Sequence, residues 1–466
     1  MKRSFFLGIA LLLSVVFCSA QPRYIFYLIG DGMGANEVLA AEMYLAELEG
    51  RIGRTPLCMT QFPVSGMAAT FSKSNGITDS SAAGTCLASG QKTENGHLGT
   101  TPDNQHIESI AEMLHNEGWA IGIATSVAID HATPGAFYAH VRNRDEYYMI
   151  GTQLVKSDFE FFAGAGFHQP VNKREWNAGN LYDMCEENGY KIAHGYAEGK
   201  EIAESAKKMI LVQENDGVNR EQKSESLPFA IDRNPDDLTL PKITETALRF
   251  LEKRERFFLM IEGGKIDYAG HAKDGATNIQ EVLDFDKAVG MAFEFYRKHP
   301  DETLIIVTAD HETGGMALGN SDYTLNLQIL KNQQMSQNQL SNKVRQLYDT
   351  YGKKLKWEQV KNLLTEALGF YTAVEISPEE DALLKAVFKK LVKGKSKSIK
   401  TLYSNVNEVA NTSVGLLNKK AKLGWTSYGH TGACVPVFAV GAESEQFGGW
   451  HDNSELAPMI LRAAGY

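Results

Sequence analysis

The stretch Ile77-Thr78-Asp79-Ser80-Ser81-Ala82-Ala83-Gly84-Thr85 joins a polar turn, Ser74-Asn75-Gly76, to small residues that read as a helix. Asp79 or Ser80 is placed to cap it, leaving a serine hydroxyl beside unpaired backbone N–H groups at the positive end. Such an end attracts anions, phosphate above all. A serine there is ordinarily a cap and nothing more, so the metal-ligand residues elsewhere decide the matter. Glu262, Asp267 and His271 fall together, with Asp267 and His271 four apart and hence on one side of a helical turn. Asp310-His311 follow an apolar run, where a buried charge needs a partner. His430 lies between Gly429 and Thr431, and Asp31 between Gly30 and Gly32. Each has a bland reading: surface salt link, core histidine or turn residue. Together they supply the carboxylates and imidazoles that suit Zn²⁺, with an oxygen-rich remainder that suits Mg²⁺.

Residues so far apart in sequence meet only if regular elements carry them. Tyr24 to Ile29 is apolar at every position, as in a strand buried on both faces of a parallel sheet. Further strands are expected at Ser65–Phe71, Ala120–Thr125, Phe159–Phe162, Phe257–Ile261, Thr303–Thr308 and Val435–Val440. Helical patterns fall at Ala35–Leu48, Ile107–Asn116, Ile243–Lys253 and Thr277–Arg297. Alternation of this kind predicts an α/β fold, a doubly wound, mostly parallel central sheet with helices on both faces. Such sheets bind ligands beyond the carboxyl ends of their strands. Asp31, Thr133, Glu262, Asp310 and His311 all fall at or shortly after such ends.

The first twenty residues read as a secretory signal: Lys2 and Arg3, an apolar run from Phe5 to Phe17, then Cys18-Ser19-Ala20. Cleavage after Ala20 predicts an exported protein, periplasmic or secreted, with no transmembrane segment. It takes the formal charge from −10 to −12 by removing the two basic residues. That acidic balance, and the lack of a basic track beyond Lys389–Lys400, argue against a nucleic-acid partner. Cys58, Cys86, Cys185 and Cys434 remain, enough for up to two disulfides but without zinc-cluster spacing. Residues 21–466 read as one α/β domain. Asn172 to Pro241 reads as peripheral α/β structure, and about 320–425 as an inserted, mainly helical subdomain with helices at Gln359–Leu368 and Pro378–Leu391.

With these residues in view, the chain resembles the alkaline phosphatases, metal-dependent phosphomonoesterases. The matching residues are Asp31-Gly32-Met33-Gly34, Thr78-Asp79-Ser80, Thr133-Pro134 with Arg144 eleven residues on, Glu262 through His271, Thr308-Ala309-Asp310-His311 and His430-Thr431-Gly432. The resemblance implies Asp267, His271 and His430 on one zinc, and Asp31, Asp310 and His311 on a second with Ser80 beside it. It implies a Mg²⁺ held by Asp31, Thr133 and Glu262, with Ser80 as nucleophile and Arg144 clamping phosphate. His131 stands near the third metal, where bacterial relatives can carry an aspartate. Tyr268 stands where relatives often place a lysine or histidine. The substrates implied are small phosphate monoesters, and a homodimer is one assembly open to the chain. A phosphodiesterase or sulfatase on the same scaffold, or a non-catalytic phosphate- or metal-binding protein, is the rival reading.

Overall fold

The computed structural model describes residues 21–172, 178–213, 225–320 and 322–466. The secretory-signal reading of residues 1–20 lies outside them. A ten-stranded sheet organises the molecule. Its strands in chain order are β1 (Tyr24–Ile29), β2 (Val64–Ala69), β3 (Ala120–Thr125), β4 (Phe161–Gly164), β5 (Tyr190–His194), β6 (Lys208–Val212), β7 (Phe257–Glu262), β8 (Thr303–Thr308), β9 (Val435–Gly441) and β10 (Gly449–Asp452). Their spatial order is β10-β2-β9-β8-β1-β7-β3-β4-β6-β5. Only β9 runs antiparallel to its neighbours. Every residue of β1, β3, β7 and β8 is buried, which explains the unbroken apolar runs.

Register levels the ends of the four central strands. Ile29 pairs with both Glu262 and Thr308, and Thr125 pairs with Glu262. Whatever follows β8, β1, β7 and β3 therefore emerges along one line. Helices α1 (Ala35–Leu48), α2 (Ser80–Ser89), α3 (Lys265–Ala272) and α4 (Gly275–Lys298) begin just beyond this end or pack against the sheet.

Local chemistry shifts some expected boundaries. The helix expected from Ile107 starts at Ile110, because Ser109 Oγ accepts the Glu112 N–H while the Glu112 carboxylate accepts the Ser109 N–H. Phe159 and Glu160 precede β4 rather than open it, since Glu160 Oε2 accepts the Ile121 N–H. The described part of 172–241, read as peripheral α/β structure, carries β5 and β6, which extend the main sheet at its edge. The 320–425 segment carries helices Gln337–Tyr351, Trp357–Leu368, Pro378–Val392 and Glu408–Ala421, and a short hairpin of Ser398–Lys400 with Asn405–Asn407. The four cysteines are free thiols, so the disulfides their number allowed are not formed. Cys86 and Cys185, for instance, are buried in separate helices.

Candidate active site

Ser80 is the first residue of α2, capped by Asp79, whose Oδ1 accepts the Ala82 N–H at 3.0 Å. The capping task therefore falls to Asp79 and leaves the Ser80 hydroxyl free for other work. Ser80 Oγ lies 3.2 Å from His311 Nε2, and both residues are fully buried. Gly84 lets α2 approach the turn that bears Thr133: a Cβ there would meet the Ala136 Cβ at 3.2 Å and the Thr133 Cα at 3.4 Å.

The predicted ligands converge at the levelled strand ends. Asp31 follows β1 by two residues, and the positive φ of Gly32 (+75°) turns the chain so tightly that a Cβ there would lie 2.8 Å from Asp267 Cα. Glu262 ends β7, and Asp310 and His311 follow β8. Asp267 and His271 share α3, with Asp267 Oδ1 3.3 Å from His271 Nε2. His430 Nε2 lies 3.2 Å from His271 Nε2 and 3.6 Å from Asp267 Oδ1. His311 Nε2 lies 3.3 Å from Asp310 Oδ2 and 3.6 Å from Asp31 Oδ1. Around the third position, Thr133 Oγ1 donates to Asp31 Oδ2 at 3.3 Å, and Asp31, His131 and Glu262 bring donor atoms within 4.8 Å of one another.

The imidazoles are oriented from behind. His271 Nδ1 donates to the Tyr428 carbonyl at 2.5 Å, and His430 Nδ1 to the Thr78 carbonyl at 2.8 Å. A carbonyl only accepts, so both Nδ1 atoms carry a proton and both Nε2 atoms face the cluster. Thr313 Oγ1 stands 2.5 Å from Asp267 Oδ1 and 3.2 Å from His311 Nδ1.

The electrostatics call for cations. Asp31 Oδ1, Asp267 Oδ2, Asp310 Oδ2, Glu262 Oε1 and both ring nitrogens of His131 are buried without hydrogen-bond partners. Burial, then the charges of Asp310 and Asp267, push the Asp31 carboxyl well above its ordinary range. Burial and Asp267 do the same to Asp310, and burial carries Glu262 up to about 7. Burial also lowers His311, His430 and His131. Neutral imidazoles beside clustered acids with unused oxygens are a donor set that divalent cations fit.

Arg144 reaches this centre from the other side. Its Nη1 lies 3.4 Å from Asp79 Oδ2 and its Nη2 3.5 Å from the Tyr403 hydroxyl. A cavity of about 530 Å³ opens here, lined by Arg144, His131, Tyr147, Tyr268, Tyr403 and His430 among others. Burial raises the Tyr268 hydroxyl well above its ordinary pKa, so it stays a neutral phenol. The Tyr268 and Tyr403 rings stack at 3.8 Å. Sequence reasoning missed Tyr403, which sits at the tip of a hairpin in a polar segment without a motif. It also missed Thr125, whose hydroxyl bonds Glu262, and Thr313; their places after or at strand ends were the available signal.

A centre of acids and imidazoles around a buried serine, at the carboxyl edge of a doubly wound sheet, defines a metal-dependent hydrolase of the phosphatase type. The alkaline phosphatase family model matches residues 23–159 and 201–466. The chain is 30% identical to alkaline phosphatase 3 of Bacillus subtilis over 461 residues, 96% of this chain and 90% of that protein. It is 30% identical to the Escherichia coli alkaline phosphatase over 329 residues, 62% of this chain and 70% of the relative. The crystal structure of a cold-active alkaline phosphatase from Shewanella sp. superposes with a TM-score of 0.78 at 26% identity, covering 94% and 99% of the two chains. The chain belongs to the alkaline phosphatase family, and it is an enzyme of that metal-dependent class.

Proposed function

We propose that the chain hydrolyses phosphate monoesters to an alcohol and inorganic phosphate through a phosphoserine at Ser80. One zinc is assigned to Asp267, His271 and His430, and a second to Asp31, Asp310 and His311 with Ser80. A magnesium is assigned to Asp31, Thr133 and Glu262, with His131 beside it. The observation that carries this reading is Ser80 Oγ at 3.2 Å from His311 Nε2, among carboxylate oxygens that have no other partner. When bound, the cations supply Lewis-acid stabilisation of the serine alkoxide and the departing oxygen, and offset the charge of the phosphoryl group.

The chain's own residues do the rest. Ser80 Oγ forms a bond to phosphorus as the bond to the alcohol oxygen breaks, and the alcohol leaves. A water oxygen then forms a bond to phosphorus as the P–Oγ bond breaks, which restores Ser80 and frees phosphate. Arg144 presents its planar fork to two phosphoryl oxygens, a geometry lysine lacks.

Arg144 and the abundance of metal-ligating acids favour a dianionic monoester over a diester, because the more negative group gains most from added positive charge. Turnover of an aryl phosphate monoester against the matching diester and sulfate ester, with metal content measured and with and without chelator, tests the reading. Monoester hydrolysis that dominates and vanishes with the metals supports it; dominance of the diester or sulfate ester replaces it with the rival enzyme. No turnover of any ester by metal-replete protein overturns it. The basic, apolar and small-residue succession of residues 1–20 supports export to the periplasm or medium. Among the described residues no helix is long and apolar enough to cross a membrane.

A further inference from the structure

We propose that His106, Glu112 and His140 form an additional divalent-cation site of the zinc class, apart from the catalytic centre, which fastens the strap that carries Arg144. Their donor atoms lie within 4.8 Å of one another. None of the three lines the cavity beside Arg144. His106 and Glu112 face a different opening of about 520 Å³, lined also by Glu108 and His115.

Two of the three donors are already held in a ligating posture. His140 Nδ1 donates to the Gly99 carbonyl at 2.8 Å, so Nδ1 carries the proton and Nε2 looks outward. Glu112 commits Oε2 to the Ser109 N–H at 2.8 Å as part of the helix cap. That leaves Oε1, which lies 2.9 Å from His140 Nε2 and 3.6 Å from His106 Nε2. A carboxylate oxygen 2.9 Å from an imidazole nitrogen needs a cation between them, either a proton on His140 Nε2 or a metal. The third donor favours the metal. His106 stacks on His140 at 3.5 Å and points its Nε2 at the same oxygen, although its own side chain is more than half exposed and could turn to water. Two imidazoles and one carboxylate with an open side toward solvent are a zinc donor set.

The placement links two segments. Leu98 and Val141 exchange backbone hydrogen bonds, and the Arg144 N–H donates to the Gly96 carbonyl at 2.9 Å. His140 sits directly before Val141, and His106 pairs with Thr100. A cation on His106, Glu112 and His140 therefore ties the loop 96–106 and the helix Ile110–Asn116 to the stretch that ends in Arg144.

The test is Zn²⁺ binding to enzyme whose catalytic sites are already filled, read by calorimetry and metal analysis, so that it does not depend on hydrolysis. The wild type should bind one further equivalent per chain, with proton release if the displaced cation is a proton. His106→Ala, a surface change that leaves the helix cap intact, and Glu112→Gln, which keeps an acceptor for the Ser109 N–H, should each weaken that equivalent by at least the roughly 10–100-fold that even outer-shell losses cause. No further equivalent in the wild type, or one that both variants bind equally well, overturns the proposal and leaves an imidazolium–carboxylate pair.

Discussion

Tyr268 follows the zinc-ligand candidate Asp267 and lines the phosphate cavity as a neutral phenol. On the proposed assignment, phosphate there gains positive charge from Arg144 and the metals, but none from this position. Tyr268→Lys should therefore lower the inhibition constant of inorganic phosphate by about tenfold, the worth of one charge-assisted hydrogen bond. An unchanged or higher constant would show that the side chain does not reach the anion. Tyr403 makes a complementary case, because it combines a stack on Tyr268 with a hydroxyl 3.5 Å from Arg144. Tyr403→Phe keeps the stack and should raise KM by about 2–10-fold, the worth of 0.5–1.5 kcal/mol, with kcat little changed. Tyr403→Ala should cost more, and steady-state kinetics on the pair separates ring from hydroxyl. At this scale the sequence was readable for candidate ligands that follow apolar strands, such as Asp310 and His311, which the fold brings within 3.3 Å of one another. It was silent on Tyr403, whose contact with Arg144 is made across 259 residues without any local pattern.

Helix α2 shows what an element contributes. Asp79 caps it through the Ala82 N–H, and its other oxygen takes the Ser81 hydroxyl at 2.7 Å, the Gly96 N–H at 3.0 Å and Arg144. One carboxylate thus fixes the start of the helix that bears Ser80 and one side of the Arg144 guanidinium. Asp79→Ala should lower stability by about 1 kcal/mol through the lost cap and also raise KM. Asp79→Asn should keep most of the stability, because asparagine caps as well, and still raise KM; denaturant midpoints beside kinetics separate these effects. The sequence left open whether Asp79 or Ser80 capped the helix, since both are cap formers and only the geometry assigns the task. The sheet was legible because β1, β3, β7 and β8 are buried on both faces, which demands apolar residues throughout. β5 and β6 were harder, since the edge strand is only partly buried and the polar stretch beside it obscures the pattern.

The whole molecule gathers buried acids at one end of a level sheet, and it does so at an electrostatic cost that bound cations offset. In metal-free protein the raised carboxyls hold protons in the folded state that the unfolded chain has lost, so their contribution fades as pH rises through their folded values, about 7 for Glu262. The lowered histidines act oppositely, but only below their unfolded pKa of about 6.5. Thermal unfolding of chelated protein should therefore show falling stability from pH 6.5 to 8, with metal-loaded protein nearly flat and more stable by several kcal/mol, at about 4 kcal/mol per site for metal near 1,000 times its Kd. A chelated protein as stable as the loaded one across that range would argue that the acids do not hold cations. The central claim, that Ser80 attacks phosphorus, is tested most directly by acid-quenching the enzyme during turnover of a labelled monoester and mapping the covalent phosphate. The label should sit on Ser80 and be absent from Ser80→Ala; label retained by that variant, or mapped to Ser81 in the unaltered enzyme, would contradict the account.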